Sequence, residues 1–219
     1  MTFYAVMKAI AVAIMRLLFR LEGRGMEHIP ETGPLLLVAN HSSFLDPPLV
    51  GGMASRQLTF LAKAELFKIP GLSWLIRHLG AYPVKRDGPD MTALRTTQRA
   101  LAEGRAVLVF PEGTRGAEGV LRPAKPGAAL LAVQTGVPVV PVYVSGSGRA
   151  WPRGRRLPRP AKVVVTFGPP LRFPRAVGPQ RKAQYETASR EMMAAIGELK
   201  DRASSGVGMP GARRPLQIH

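Results

Sequence analysis

The strongest constraint in this chain is an alternation that begins near residue 33. Short apolar runs at 35–39 (LLLVA), 58–62 (LTFLA), 81–84 (AYPV), 106–110 (AVLVF), 138–144 (PVVPVYV) and 161–167 (AKVVVTF) are separated by helical patterns at about 48–54, 71–79, 90–102, 124–135 and 179–201. Apolar runs of this length, bounded by turn residues, fit strands buried on both faces, and parallel strands need crossover connections between them. The order predicts one α/β domain with a largely parallel central sheet flanked by helices, with functional groups at the carboxyl ends of the strands. Pro138 and Pro141 each lack a ladder donor, which predicts that 138–144 lies at an edge or a bend. The sequence contains no internal repeat.

Size and charge narrow the function. With 219 residues, 46% of them hydrophobic, the chain can bury one full core but not two. It has no cysteine, which excludes disulfides, cysteine-ligated zinc and thiol nucleophiles together. The 31 lysines and arginines outnumber 14 acidic residues and give a net charge of +17, so the chain is drawn to anionic partners: nucleic acid, a membrane surface or phosphorylated small molecules. Nucleic acid is not the expected partner, because the cations are not interleaved with the aromatic residues that stack bases.

The N-terminus points towards a membrane. At helical periodicity, residues 3–21 place Phe3, Val6, Met7, Ile10, Ile14, Leu17, Leu18 and Leu21 on one face and Lys8, Arg16 and Arg20 on the other. The internal cations argue against a spanning helix and against a signal peptide, and fit a helix lying in the headgroup region of an anionic membrane. A first helix packed on the domain's own core would show the same stripe, and both readings stay open here. Residues 149–160, RAWPRGRRLPRP, form a basic, proline-rich loop.

Two stretches carry chemistry. NHSSFLDP, residues 40–47, follows the first predicted strand and sets His41 five residues before Asp46. An imidazole takes a proton from a hydroxyl near neutral pH, and a carboxylate on its other nitrogen fixes the tautomer and supports the imidazolium. No nucleophile completes a triad: VSGSG at 144–148 lacks the glycine two residues before Ser147 that a nucleophile elbow requires. The pair therefore reads as a base that activates a substrate hydroxyl, or as no more than a helix cap. The second stretch, VFPEGTRG at 109–116, brings backbone N–H groups, a threonine and an arginine to one turn, a composition suited to phosphate. Lys63 and the pair Lys85–Arg86 also end predicted strands.

With FLAKAELFKIPGLSWLIRHLGAYPVKRDG and VPVVPVYVSG, these stretches form an ordered set of four blocks over about residues 25–170. The set resembles the glycerolipid acyltransferase family, and within it the 1-acyl-glycerol-3-phosphate (lysophosphatidate) acyltransferases. The resemblance implies that His41 is the catalytic base and Asp46 its orienting partner. It implies that Arg86, Glu112, Gly113, Thr114 and Arg115 bind the glycerol phosphate portion of the acceptor, with Lys63 a further candidate for the phosphate. The expected reaction moves a fatty acyl group directly from acyl-CoA or acyl carrier protein to lysophosphatidate, giving phosphatidic acid, with no cofactor and no metal. Backbone N–H groups of residues 41–43 are the expected oxyanion donors. Glycerol 3-phosphate, a lysophospholipid or a lipid-linked sugar are alternative acceptors, since one base serves any hydroxyl. The organisation expected is a membrane-docking segment at 1–24, an acyltransferase domain at 25–201 and a disordered basic tail at 202–219, on the cytoplasmic face of the cell membrane.

Overall fold

In a computed structural model, residues 3–84, 91–175 and 181–205 are described. They form a seven-stranded sheet in the order β1-β7-β6-β2-β5-β3-β4, with β1 at Glu22–Arg24, β2 at Leu35–Ala39, β3 at Leu58–Lys63, β4 at Ala81–Val84, β5 at Ala106–Val109, β6 at Val139–Ser145 and β7 at Val164–Phe167. All pairs are parallel except β6 with β7. The helices are α1 at Phe3–Phe19, α2 at Asp46–Met53, α3 at Leu72–His78, α4 at Met91–Ala102, α5 at Pro126–Thr135, α6 at Ser147–Ala150 and α7 at Arg181–Ser205. The sheet begins at Glu22, inside the segment expected to serve docking alone, and α7 runs past residue 201. The tail from residue 206 lies outside the described residues.

The unbroken apolar runs are explained by two cores, one on each face of the sheet. In β2, Leu35, Leu37 and Ala39 face a core shared with α1 and α2, while Leu36 and Val38 face one shared with α4, α5 and α7. Successive side chains of a strand point to opposite faces, so a strand covered on both sides has no polar positions to spare.

The edge placement expected for 138–144 is corrected: β6 lies inside the sheet between β2 and β7. Pro138 precedes the first residue of β6, so its missing N–H falls before the ladder with β2 begins, while its carbonyl receives the N–H of Leu36 at 3.0 Å. Pro141 lies between the Val139–Leu171 bridge and the first β7 pair, where its carbonyl accepts from Gly168 N–H at 2.8 Å. The two missing donors thus fall before the ladder with β2 starts and where the ladder with β7 is interrupted.

α1 packs on the core through the face opposite the predicted apolar stripe. Met15 and Phe19 are buried, and Ala11 and Val12 pack beside them on the core that contains α2. Gly52 of α2 permits this approach, since a Cβ there would meet Met15 Cε at 2.9 Å and Val12 Cγ2 at 3.1 Å. The opposite face carries exposed apolar groups: Val6 (42%), Ile10 (49%), Ile14 (51%), Leu17 (83%) and Leu18 (42%). Lys8, expected among the solvated cations, is instead half-buried and donates to the carbonyl of Ala54 at the end of α2. Burial lowers its pKa from the usual lysine value. Among the described residues, no helix is long and apolar enough to cross a membrane.

Candidate active site

The site is built where β2 ends. Asn40, the residue after the strand, locks this end to β6 with two bonds: its Nδ2 donates to Val144 O at 3.0 Å and its Oδ1 accepts from Val144 N–H at 2.7 Å. His41 follows, with its Nδ1 2.8 Å from Asp46 Oδ2. Asp46 is fully buried as the first residue of α2, and the same Oδ2 accepts the N–H groups of Ser42 at 2.7 Å and Ser43 at 2.8 Å. Those residues precede the helix, so Asp46 closes the loop on itself rather than capping α2. An acceptor-only carboxylate in this position keeps the proton on Nδ1 and leaves the Nε2 lone pair for a substrate.

Two further contacts fix the imidazole loop. Phe110, directly after β5, stacks under His41 with ring centroids 4.0 Å apart and planes 19° from parallel. Glu112, buried to 3% exposure, accepts the His41 N–H on Oε1 at 3.1 Å and the Arg122 N–H on Oε2 at 3.3 Å. Burial raises its carboxyl pKa, and the two N–H bonds oppose that shift. Glu112, expected at the acceptor's glycerol phosphate, is buried in the structure behind the catalytic loop, where each of its oxygens accepts one backbone N–H. The expected oxyanion donors are corrected for the same reason, since the N–H groups of His41, Ser42 and Ser43 all bond to carboxylates.

The VFPEGTRG turn is partly bound inward as well. Gly113 N–H donates to Phe110 O at 2.9 Å and Gly116 N–H to His41 O at 2.7 Å. Gly113 must be glycine: its φ is +69°, and a Cβ would lie 2.7 Å from Lys125 Cδ. Thr114 is exposed and Arg115 half-buried, with its guanidinium 3.5 Å from the centroid of the Phe44 ring. Lys63 ends β3 at the same end of the sheet as His41. Lys85 and Arg86 lie outside the described residues.

Three residues of this region escaped the sequence reading. Phe110 sits within VFPEGTRG but stacking is not visible in a motif. Lys125, in the run RPAKPG, brings a cation against Gly113. Glu118 accepts the N–H groups of Gly146 at 2.6 Å and Gly148 at 2.7 Å, tying the end of the VFPEGTRG loop to the turn after β6. Only the fold brings these partners together.

A family model described as Acyltransferase matches residues 20–145, which run from β1 to the end of β6. The chain belongs to this acyltransferase family. It is 35% identical over 139 residues to a chloroplastic 1-acyl-sn-glycerol-3-phosphate acyltransferase of Brassica napus, covering 62% of this chain and 40% of that protein. It is 30% identical over 192 residues to the 1-acyl-sn-glycerol-3-phosphate acyltransferase of Pseudomonas aeruginosa, covering 84% of this chain and 73% of that one. The chain thus spans about two fifths of the plastid relative and most of the bacterial one. The crystal structure of the 1-acyl-sn-glycerophosphate acyltransferase PlsC from Thermotoga maritima superposes with a TM-score of 0.74 at 32% identity, covering 91% of this chain and 80% of that chain. The fold class expected from the alternation of apolar runs and helices, and the family expected from the four blocks, are therefore both found.

Proposed function

We propose that the chain transfers a fatty acyl group from a thioester to the free hydroxyl of lysophosphatidate, forming phosphatidic acid. The observation that carries this reading is the His41–Asp46 pair, joined at 2.8 Å with the carboxylate fully buried. Its support in kind is the set of relatives named for this activity in bacteria and plants.

His41 Nε2 takes the acceptor's hydroxyl proton as that oxygen attacks the thioester carbonyl. The tetrahedral intermediate collapses by breaking the C–S bond, the proton passes from Nε2 to the departing sulfur, and the thiol of coenzyme A or of a carrier protein leaves. Asp46 supports the imidazolium during this exchange, and Phe110 and Glu112 hold the ring and its backbone in place. The acyl group is never attached to the protein. Arg115 and Thr114 receive the acceptor phosphate, Arg115 offering a planar fork already aligned by the Phe44 ring, with Lys63, Arg86 and Lys125 as supporting cations. Gly113 gives the turn its close approach.

The acceptor is a lipid, and the exposed apolar face of α1 fits a helix lying in an anionic membrane surface on the cytoplasmic side. Product analysis by mass spectrometry tests the reading: purified protein receives equal amounts of lysophosphatidate, glycerol 3-phosphate and lysophosphatidylcholine with a thioester donor. Phosphatidic acid is the expected main product. A dominant product from either other acceptor overturns the assignment.

A further inference from the structure

The basic loop at 149–160 has no part in the chemistry described above, yet it is tied to it. Its ends are bridged by Arg159 N–H donating to Ala150 O at 2.8 Å, and Arg159 Nε reaches Arg149 O at 2.8 Å. Inside, Trp151 Nε1 donates to Arg155 O at 2.8 Å. The result is a closed surface loop of defined shape, of the kind that carries function. Ser43, beside the base, donates from Oγ to Trp151 O at 3.1 Å, and Phe44 meets the Trp151 ring edge-on at 6.1 Å.

Register places this loop at the same end of the sheet as His41 and the carboxyl end of α1. Val164, where β7 begins, pairs with Ser145, the last residue of β6, and with Glu22, the first of β1. Phe19 at the end of α1 accepts the N–H of Val163 at 2.9 Å, and Lys162 pairs with Glu22 at 3.2 Å. The loop therefore lies between the reactive pair and the exposed Leu17 and Leu18.

Residues 149–162 hold six cations (Arg149, Arg153, Arg155, Arg156, Arg159 and Lys162) and no acidic residue. Residues 153–160 are all exposed, so the charges stand on the surface rather than in a closed cleft. Leu157 is 76% exposed between Arg156 and Pro158, and Phe44 is 55% exposed beside Arg115. An exposed apolar residue in an arginine-rich loop suits a bilayer interface, where the apolar group enters the acyl region and the guanidinium groups stay with the phosphates.

We infer that the loop at 149–160 is a second membrane contact that grips anionic phospholipid, inserts Leu157, and sets the mouth of the His41 site against the bilayer surface. The inference rests on the reading of a membrane-borne acceptor. It deepens that reading, because the loop is bonded directly to Ser43 and so fixes the height of the reactive pair above the lipid.

The test uses the full chain, vesicles of phosphatidylcholine alone, and vesicles of phosphatidylcholine with phosphatidylglycerol in equal parts. A variant with Arg153→Gln, Arg155→Gln and Arg156→Gln should partition onto the anionic vesicles on the order of 100-fold more weakly at low salt, about fivefold per cation. Leu157→Asn should weaken binding to both compositions about tenfold. Both variants should keep wild-type turnover of a short-chain, monomeric lysophosphatidate with acyl-CoA. A third variant, Ile10→Asn with Ile14→Asn and Leu17→Asn, tests α1 separately. If it loses vesicle binding while the loop variants bind like wild type, the loop inference fails and docking by α1 stands. If the loop variants weaken binding and the α1 variant does not, the loop inference stands and the α1 reading falls. If the arginine variant binds vesicles normally but loses turnover only with acyl carrier protein, the loop serves an acidic protein and the inference is overturned.

Discussion

Asp46→Asn separates the charge of the buried carboxylate from its geometry. In the native protein Oδ2 accepts three donors, from His41, Ser42 and Ser43, while the buried Oδ1 has no partner among the described residues. Sequence alone leads one to expect that an asparagine would turn its amide donor towards the imidazole. The Ser42 and Ser43 N–H groups forbid that, because two donors would then face a third, so the amide oxygen stays at the Oδ2 position and the imidazole keeps its tautomer. What disappears is the charge opposite the imidazolium. At the 2.8 Å separation, full charges interact by on the order of 6 kcal/mol at an effective dielectric constant of about 20. A neutral amide retains part of this, so a loss of about 4 kcal/mol is expected, or roughly 10³-fold in kcat. The amide NH2 also falls at the Oδ1 position without an acceptor, at a cost of about 1–3 kcal/mol in stability. Steady-state kinetics on a short-chain acceptor together with denaturant unfolding measure both. A kcat within tenfold of wild type, in a variant destabilised as expected, refutes the role of the charge.

Other outcomes follow from the surrounding contacts. Arg115→Lys keeps the charge but loses the planar fork and its stacking on Phe44, so the acceptor KM should rise about tenfold while the thioester KM stays flat; a parallel change in both would make Arg115 structural. Burial holds the Glu112 carboxyl above its ordinary value of 4.5. The folded state therefore binds that proton more tightly than the unfolded state, and the group's contribution to stability is full below the ordinary value and lost as pH rises through the raised range. The stability of wild type relative to Glu112→Gln should accordingly shrink as pH rises above the ordinary value of 4.5, as measured by denaturant unfolding, whereas a gap that widens with pH would place the Glu112 carboxyl below its ordinary value.

The strands were legible because burial on both faces writes itself into sequence as unbroken apolar runs: LLLVA is β2 at both ends. What escaped was set by pairing between distant segments. β1, only Glu22–Arg24, has no apolar signature and exists because β7 offers it an edge. The prolines of β6 implied an edge or a bend because the sequence cannot show that the β7 ladder is interrupted at Pro141 and that Pro138 precedes the strand. At the site, the spacing of His41 and Asp46 anticipated a contact that the fold makes directly. Glu112 was harder, since a carboxylate in a phosphate-like turn looks the same whether it faces substrate or the backbone of His41. Lys8 shows the same limit from the other side: helical periodicity put it among the solvated cations, and the approach of α2 half-buries it.

The central claim is direct acyl transfer with His41 as the base, and rapid-quench analysis with an isotopically labelled acyl thioester tests it most directly. Wild-type protein mixed with lysophosphatidate and donor should yield labelled phosphatidic acid with an equal amount of free thiol, and intact-protein mass spectra should show no added acyl mass at any time. Without acceptor there should be no burst of thiol, and His41→Ala should form product at least ~10²-fold more slowly with acceptor binding preserved. An acyl-protein adduct formed and consumed at the rate of turnover, or a His41→Ala variant that turns over like wild type, contradicts the account.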